Sequence, residues 1–215
     1  MAVASKVDIC NLALDHLGKK TITSLDEGST EAQACLRQYD IARRMCLARS
    51  PWTFARKLRS LALLATNDLS DTWQYHYDLP NDLLHLYRVA ESVGGLASNA
   101  PPVPAWIESG TIYLNIETPK LLYVWDSEDT QAWSALFDDT VALFLAMRLS
   151  SSMTRRKSDT TALREAYTAM LGEAIEQDAQ QEPSTYTFYE GGYTDARDAG
   201  GVTVGRQTDG STIWG

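Results

Sequence analysis

The chain has 215 residues, 44% hydrophobic and 22% charged, with a formal net charge of −9, which suits a soluble globular protein of one substantial domain or two small ones. That acidity opposes a sequence-reading DNA binder, which needs Lys and Arg to displace counterions from phosphates, though not a surface that DNA merely slides past. No run approaches the roughly 18 apolar residues that a membrane span needs.

The first segment, MAVASKVDIC, opens a helical pattern and lacks a basic-then-apolar leader, so a chain made and folded in a cytosol is expected. Ser5, with Asp8 three residues on, forms a variant of the capping box, and Gly18 stands where a helix stops. Val7, Cys10, Ala13, Leu14 and Leu17 recur at helical spacing and predict one buried face. Ser29 or Thr30 opens a second helix to about Arg49, with a stripe of Ala32, Cys35, Leu36, Tyr39, Ala42 and Cys46. Ser50-Pro51 ends it, because Pro biases its predecessor toward extended backbone. The three cysteines, Cys10, Cys35 and Cys46, are odd in number and form no CxxC pair, so buried free thiols are expected.

The middle changes period. Trp73, Tyr75, Tyr77 and Leu79 alternate with Gln74, His76 and Asp78, as a half-buried strand does. Pro80-Asn81 turns the chain and Leu84 to Val89 is extended again, followed by the aperiodic loop SVGGLASNAPPVP. Trp106 to Glu108 and Thr111 to Tyr113 flank Ser109-Gly110 as a hairpin with a two-residue turn, and Leu121 to Trp125 is a further strand. Trp52 to Leu64 fits neither period: Leu58, Leu61 and Leu63 match neither a helix nor a strand.

Two stronger helices follow. Trp133, Leu136, Phe137, Val141, Phe144, Leu145 and Leu149 make one stripe, and Ala142, Leu143, Ala146 and Met147 make the other side apolar too. Such a helix must be covered on several sides, by the other helices or by a neighbouring chain. After a basic break from Met153 to Lys157, Ser158 or Asp159 caps a helix carrying Leu163, Ala166, Tyr167, Met170, Leu171, Ala174 and Ile175. It is expected to fray from Glu176 to Glu182. Beyond Pro183, glycines are frequent and periodicity is lost, yet Tyr186, Phe188, Tyr189, Tyr193, Val202, Val204, Ile213 and Trp214 are present. These eight are the interface candidates of an arm that docks on another subunit. The alternative is a tail folded back on its own domain.

The expected fold class is therefore α+β. A bundle of about four helices (about 5–17, 29–49, 130–152 and 159–180) carries an inserted antiparallel β-rich region (about 52–126). Residues 1–182 form the domain and 183–215 an extended C-terminal arm.

Patterns for catalysis come back nearly empty. HExxH, GxSxG, SxxK and a Gly-rich loop ending in GK[ST] are all missing, and Gly200 to Gly205 resembles a phosphate loop only in composition. His16, His76 and His85 lack metal-ligand spacing, so no catalytic residue, cofactor or metal is expected. Glu108 and Asp126 are the residual pair for glycoside cleavage, which needs two carboxyls about 5–9.5 Å apart. Asp138-Asp139 and Glu128-Asp129 sit near a helix N-terminus, where negative charge suits the dipole. Solvated surface is the expectation for all of these. Arg43-Arg44 and Arg155-Arg156-Lys157 are candidates to meet acidic patches of a partner or a phosphate, but the plain reading is expected for both, a charged connector near a helix C-terminus for the second.

The order of features carries a resemblance. From Cys10 the chain shows a short helix, Leu17-Gly18, Ile22-x-Ser24-Leu25, a Ser/Thr-capped helix with Ala and Tyr on one face, and Trp52-Thr53-Phe54-Ala55. W-x-Y-x-Y-D-L-P follows from Trp73 to Pro80, then a helical block from Trp133 to Asp178. Over residues 5–180 this resembles the tail tubular protein A family of short-tailed phages. The resemblance implies a virion structural subunit: a twelve-membered ring below the portal protein, a tail nozzle protein beneath it, and DNA as passing cargo. It also implies a helical bundle carrying ring contacts, and it brings no catalytic residues. The long Gly/Tyr-rich terminus departs from compact members. A connector of another tail type, a tail-associated lytic or polysaccharide-cleaving enzyme, and a nucleic-acid-binding module are the alternatives.

Overall fold

The computed structural model describes residues 5–92, 95, 101–153 and 157–181, within a unit spanning Met1–Glu182. Its described elements are four α-helices and seven strands in two antiparallel sheets, a mixed α+β fold. Helices α1 (Lys6–His16) and α2 (Thr30–Leu47) precede the strands, and α3 (Ala135–Met153) and α4 (Lys157–Gln180) follow them. The arm candidates from Tyr186 to Trp214, Arg155 and Arg156, and most of the Gly/Ala-rich loop lie outside the described residues.

Local chemistry sets the helix ends. Ser5 Oγ accepts the Asp8 amide while Asp8 accepts the Ser5 amide, so two orphan donors at the start of α1 are satisfied reciprocally. The Ser5 amide, and after it the Ser5 hydroxyl, donate to the Asp8 carboxylate and hold it below its usual range. Gly18 ends the helix at φ +61, and the Lys19 amide reaches back to the Leu14 carbonyl. Ser29 caps α2 through the Ala32 amide. The third helix starts later than about 130. Residues Thr130–Ala132 form a 3-10 turn capped by Asp129, Trp133 is extended, and Ser134 Oγ accepts the Phe137 amide.

Helix α3 packs against α1, α2 and α4. Its near-continuous apolar surface from Val141 to Ala146 is buried on every side within this chain. Two members of the expected stripes are exposed, Leu36 on α2 and Ala166 on α4. The fraying expected from Glu176 does not occur. Helix α4 continues to Gln180 because Asp178 is buried and accepts from both the amide (2.9 Å) and hydroxyl (2.7 Å) of Thr53.

The ambiguous segment resolves into β1 (Arg56–Ser60) and β2 (Ala62–Leu63), whose Leu58 and Leu63 are exposed. Then come β3 (Tyr75–Asp78), β4 (Leu83–Ala90), β5 (Trp106–Glu108), β6 (Thr111–Leu114) and β7 (Lys120–Trp125). Trp73, expected in the strand, precedes it, with its carbonyl held by Asn67 Nδ2. One sheet orders β1-β7-β4 and the other β2-β3-β6-β5. Ser109 (φ +49) and Gly110 (φ +83) turn β5 into β6 with Glu108 opposite Thr111, the primed geometry that matches strand twist.

There are two cores. Tyr77, Ile112 and Leu114 from the four-stranded sheet meet Val89, Leu121 and Tyr123 from the three-stranded one. The helices form the other core, with Trp52, Ala55 and Val124. Strand β7 serves both by alternation: Leu121 and Tyr123 enter one core and Val124 the other. The β region leaves and rejoins the helical part at one point, where the Trp125 amide donates to the Ala55 carbonyl at 3.0 Å and Arg56 pairs with Val124.

Candidate functional site

The densest polar cluster joins α1, α2 and the segment after β7. Arg43 is fully buried, where the sequence pointed only to a plain structural cation. A buried guanidinium must be paired to be tolerated. Its Nη1 donates to Asp126 Oδ1 at 2.6 Å and to the Ser127 carbonyl. Asp40 and Glu128 stand farther off, at 3.6 and 3.7 Å. Asp126 Oδ2 takes Arg44 Nε at 2.8 Å, and Glu128 Oε2 takes Lys6 at 3.3 Å. The acidic partners of Arg43-Arg44 thus lie in the same chain.

Asp138 is the second correction to a surface expectation. It is buried, and no hydrogen-bond partner reaches its Oδ1 among the described residues. Burial first, then repulsion from Asp139, pushes its carboxyl up to about 7. The field in the first turn of α3 favours the charged form by only ~0.3–1 kcal/mol, too little to offset desolvation. Tyr39, buried nearby, has its phenol raised by burial, with the Cys10 thiol adding to it.

The residual hydrolytic pair is drawn from β5 and from the residue after β7. Glu108 lies on β5, exposed, and accepts from Trp106 Nε1. Asp126 follows β7 of the other sheet, and both its oxygens are engaged by arginines. Asp82 sits at the end of the three-stranded sheet. Its burial works to raise the carboxyl, but donors from Lys57 (2.6 Å) and Tyr123 (2.9 Å) win and hold it below its usual range. Lys57 also lies 3.9 Å over the Trp125 ring.

Cys10, Cys35 and Cys46 are free and buried, and burial pushes the Cys46 thiol up to about 12. A buried thiol with that acidity is a poor nucleophile. His76 stacks on Tyr113 with ring centroids 4.0 Å apart, His85 packs edge-on to Tyr87, and exposed His16 borders a groove. Among the described residues, no three His, Cys, Asp or Glu gather as a metal site, and no helix is long and apolar enough to cross a membrane. The groove, about 570 Å³, is lined by Leu17, Leu143, Ala162, Leu163, Ala166 and Met170 besides His16. It lacks the convergent polar groups of a ligand pocket.

The residues that carry the resemblance do structural work. Trp52 Nε1 donates to the Cys46 carbonyl at 3.1 Å, and Thr53 anchors Asp178. Phe54 and Trp52 close on Phe137 at 5.0 and 4.8 Å, while the Ala55 carbonyl receives Trp125. Trp133 completes this aromatic cluster at 4.9 Å from Phe137. In the middle block, Tyr77 Oη donates to the carbonyls of Ile116 and Glu117. The sequence signal missed Arg43 and Asp138, because what buries them, and the Asp126 carboxylate that Arg43 meets, come from distant parts of the chain. Compared with known proteins, the chain matches no family model and no curated sequence.

Proposed function

We propose that the chain is a structural subunit rather than an enzyme: a ring-forming adaptor between the portal and the tail nozzle of a short-tailed bacteriophage. The observation that carries this reading is the ordered resemblance running from Cys10 to Asp178. Support comes from the role of the residues in it, since Trp52, Thr53 and Phe54 pin the segment before β1 to α2, α4 and α3, with Asp178 as the anchor on α4. An adaptor has to present two different ends to two different neighbours, and a helical core joined to a β core through strands β4 and β7 gives the chain two parts of different architecture. Double-stranded DNA passes through the ring without being gripped, in keeping with the net charge of −9. The subunit is made in the host cytoplasm and resides in the neck of the virion. It needs no cofactor or metal.

Negative-stain imaging and native mass measurement of the chain mixed with portal protein test this directly. A closed ring of about twelve copies, the number the resemblance implies, is the expected result. A chain that stays monomeric with purified portal and nozzle proteins would end the reading.

A further inference from the structure

Helices α1 and α4 both pack on α3, and among the described residues they leave between them the groove of about 570 Å³, floored by Leu143. Leu17 at the end of α1 forms one wall, with His16 at the rim, and Ala162, Ala166 and Met170 form the other. Positions 162, 166 and 170 recur at helical spacing, so they share one stripe of α4. Ala162 and Ala166 are exposed, and their short side chains are what leaves the space open. Past the groove the same stripe turns polar, with Glu173, Gln177 and Gln180 all exposed.

The chain itself carries material of matching chemistry. Residues 183–215 follow α4, and four rings fall within eight of their positions, Tyr186, Phe188, Tyr189 and Tyr193. A chain of that length can reach as much as about 110 Å, against about 36 Å for the whole of α4. A buried Tyr ring covers apolar surface while its hydroxyl keeps a polar partner. The groove offers that combination, apolar walls with the single polar side chain His16 at the rim. Its volume falls in the range of ~300–1,000 Å³ that takes a drug-sized group, so it suits a few rings of an extended segment and not the surface of a folded domain.

We propose that this groove receives the Tyr186–Tyr193 segment from the arm of a neighbouring copy. A neighbour is favoured over the same chain by the α4 stripe. Between the groove and the root of the arm it presents Glu173, Gln177 and Gln180, which give a chain running back along it nothing apolar to follow. From Gln181 to Tyr193 the chain spans at most about 40 Å, so the next copy's groove lies within that distance of the end of α4. Each copy gives one arm and fills one groove. The two surfaces differ, so the contact is head-to-tail and repeats into a ring instead of closing as a dimer. This rests on the adaptor reading and deepens it, because it identifies what ties neighbouring subunits.

The test uses full-length protein and sedimentation velocity, alone and with portal protein. Ala166→Glu puts a charge in the groove, and Phe188→Ser combined with Tyr189→Ser strips the arm. Ala166 is exposed, so its variant should keep the wild-type thermal melt. Ala162→Lys, one turn earlier on the same wall and of opposite charge, guards against a defect peculiar to Ala166→Glu. Wild type is expected to associate, and each of the three variants should weaken that association at least tenfold. Mixing a groove variant with the arm variant leaves one intact arm and one intact groove per pair, so a 1:1 dimer and nothing larger is expected. Association that survives every variant, or a mixture that forms no dimer, overturns this contact and leaves the adaptor reading standing. So does a groove variant that melts earlier with its association unchanged, the result expected where each arm fills its own groove. Wild type that remains monomeric at every concentration, alone and with portal, overturns both.

Discussion

Two charged residues set the sign of most of what the helical core does with pH and substitution. Asp138 has a folded value near 7 against an ordinary 3.8. Below about pH 4 both folded and unfolded chains hold its proton and it costs nothing. As pH rises toward 7 the unfolded chain ionises first, so stability falls, and above about pH 7 the penalty is constant. Such a displacement is worth at most ~4 kcal/mol, and partial relief by water lowers it. Asp138→Asn is expected to raise stability by about 1–3 kcal/mol at pH 8 and by almost nothing at pH 4, as read by urea titration at both values. Arg43 makes the opposite point. Asp126→Ala strips a fully buried guanidinium of its nearest carboxylate and is expected to cost about 2–4 kcal/mol. Arg44 binds the other oxygen of the same carboxylate but is half exposed, so Arg44→Ala should cost less than about 1 kcal/mol. Equal losses in the two variants would show that Arg43 does not depend on Asp126.

Most elements could be read in advance because their periods are local. Ser5 with Asp8, Ser29, and Ser109-Gly110 each fix a boundary from within a few residues. The β5–β6 turn gives the sharpest check at this scale. Gly110 sits at φ +83 with open space where a Cβ would go, so only backbone strain opposes a side chain there. Gly110→Ala should therefore cost about 1–2 kcal/mol, and an unchanged melting temperature would contradict the turn. What escaped the sequence was set by distant partners. The end of α4 looked frayed because its acids and amides promise nothing, yet Asp178 is anchored by Thr53, 125 positions earlier. Arg43 meets Asp126 across 83 positions. The stretch from Trp52 to Leu64 resisted assignment for a related reason: β1 and β2 are edge strands whose Leu58 and Leu63 stay exposed. The apolar residues there do not mark a buried face.

In the molecule as a whole, a deletion from Ser184 onward tests function apart from folding. Among the described residues the helical core is closed by α1 to α4 with Trp52, Ala55 and Val124, so deleting the residues from Ser184 onward is expected to leave a soluble chain with the same cooperative melt. The same deletion should weaken assembly with portal or neighbours if the Tyr186 to Trp214 segment docks on them. A truncated chain that aggregates would assign those aromatics to its own core. The hydrogen bond from Trp125 to Ala55 has a consequence of another kind. The inserted strands depart and return through neighbouring backbone positions, and a two-residue turn is enough to bridge such a gap. Shortening, lengthening or exchanging the material between residues 56 and 124 would therefore leave the helices' own chain path almost unchanged, at the cost of refilling the space of Val124. The strand region can therefore change in length and sequence while the helices keep their own packing, so variation has a ready place to accumulate.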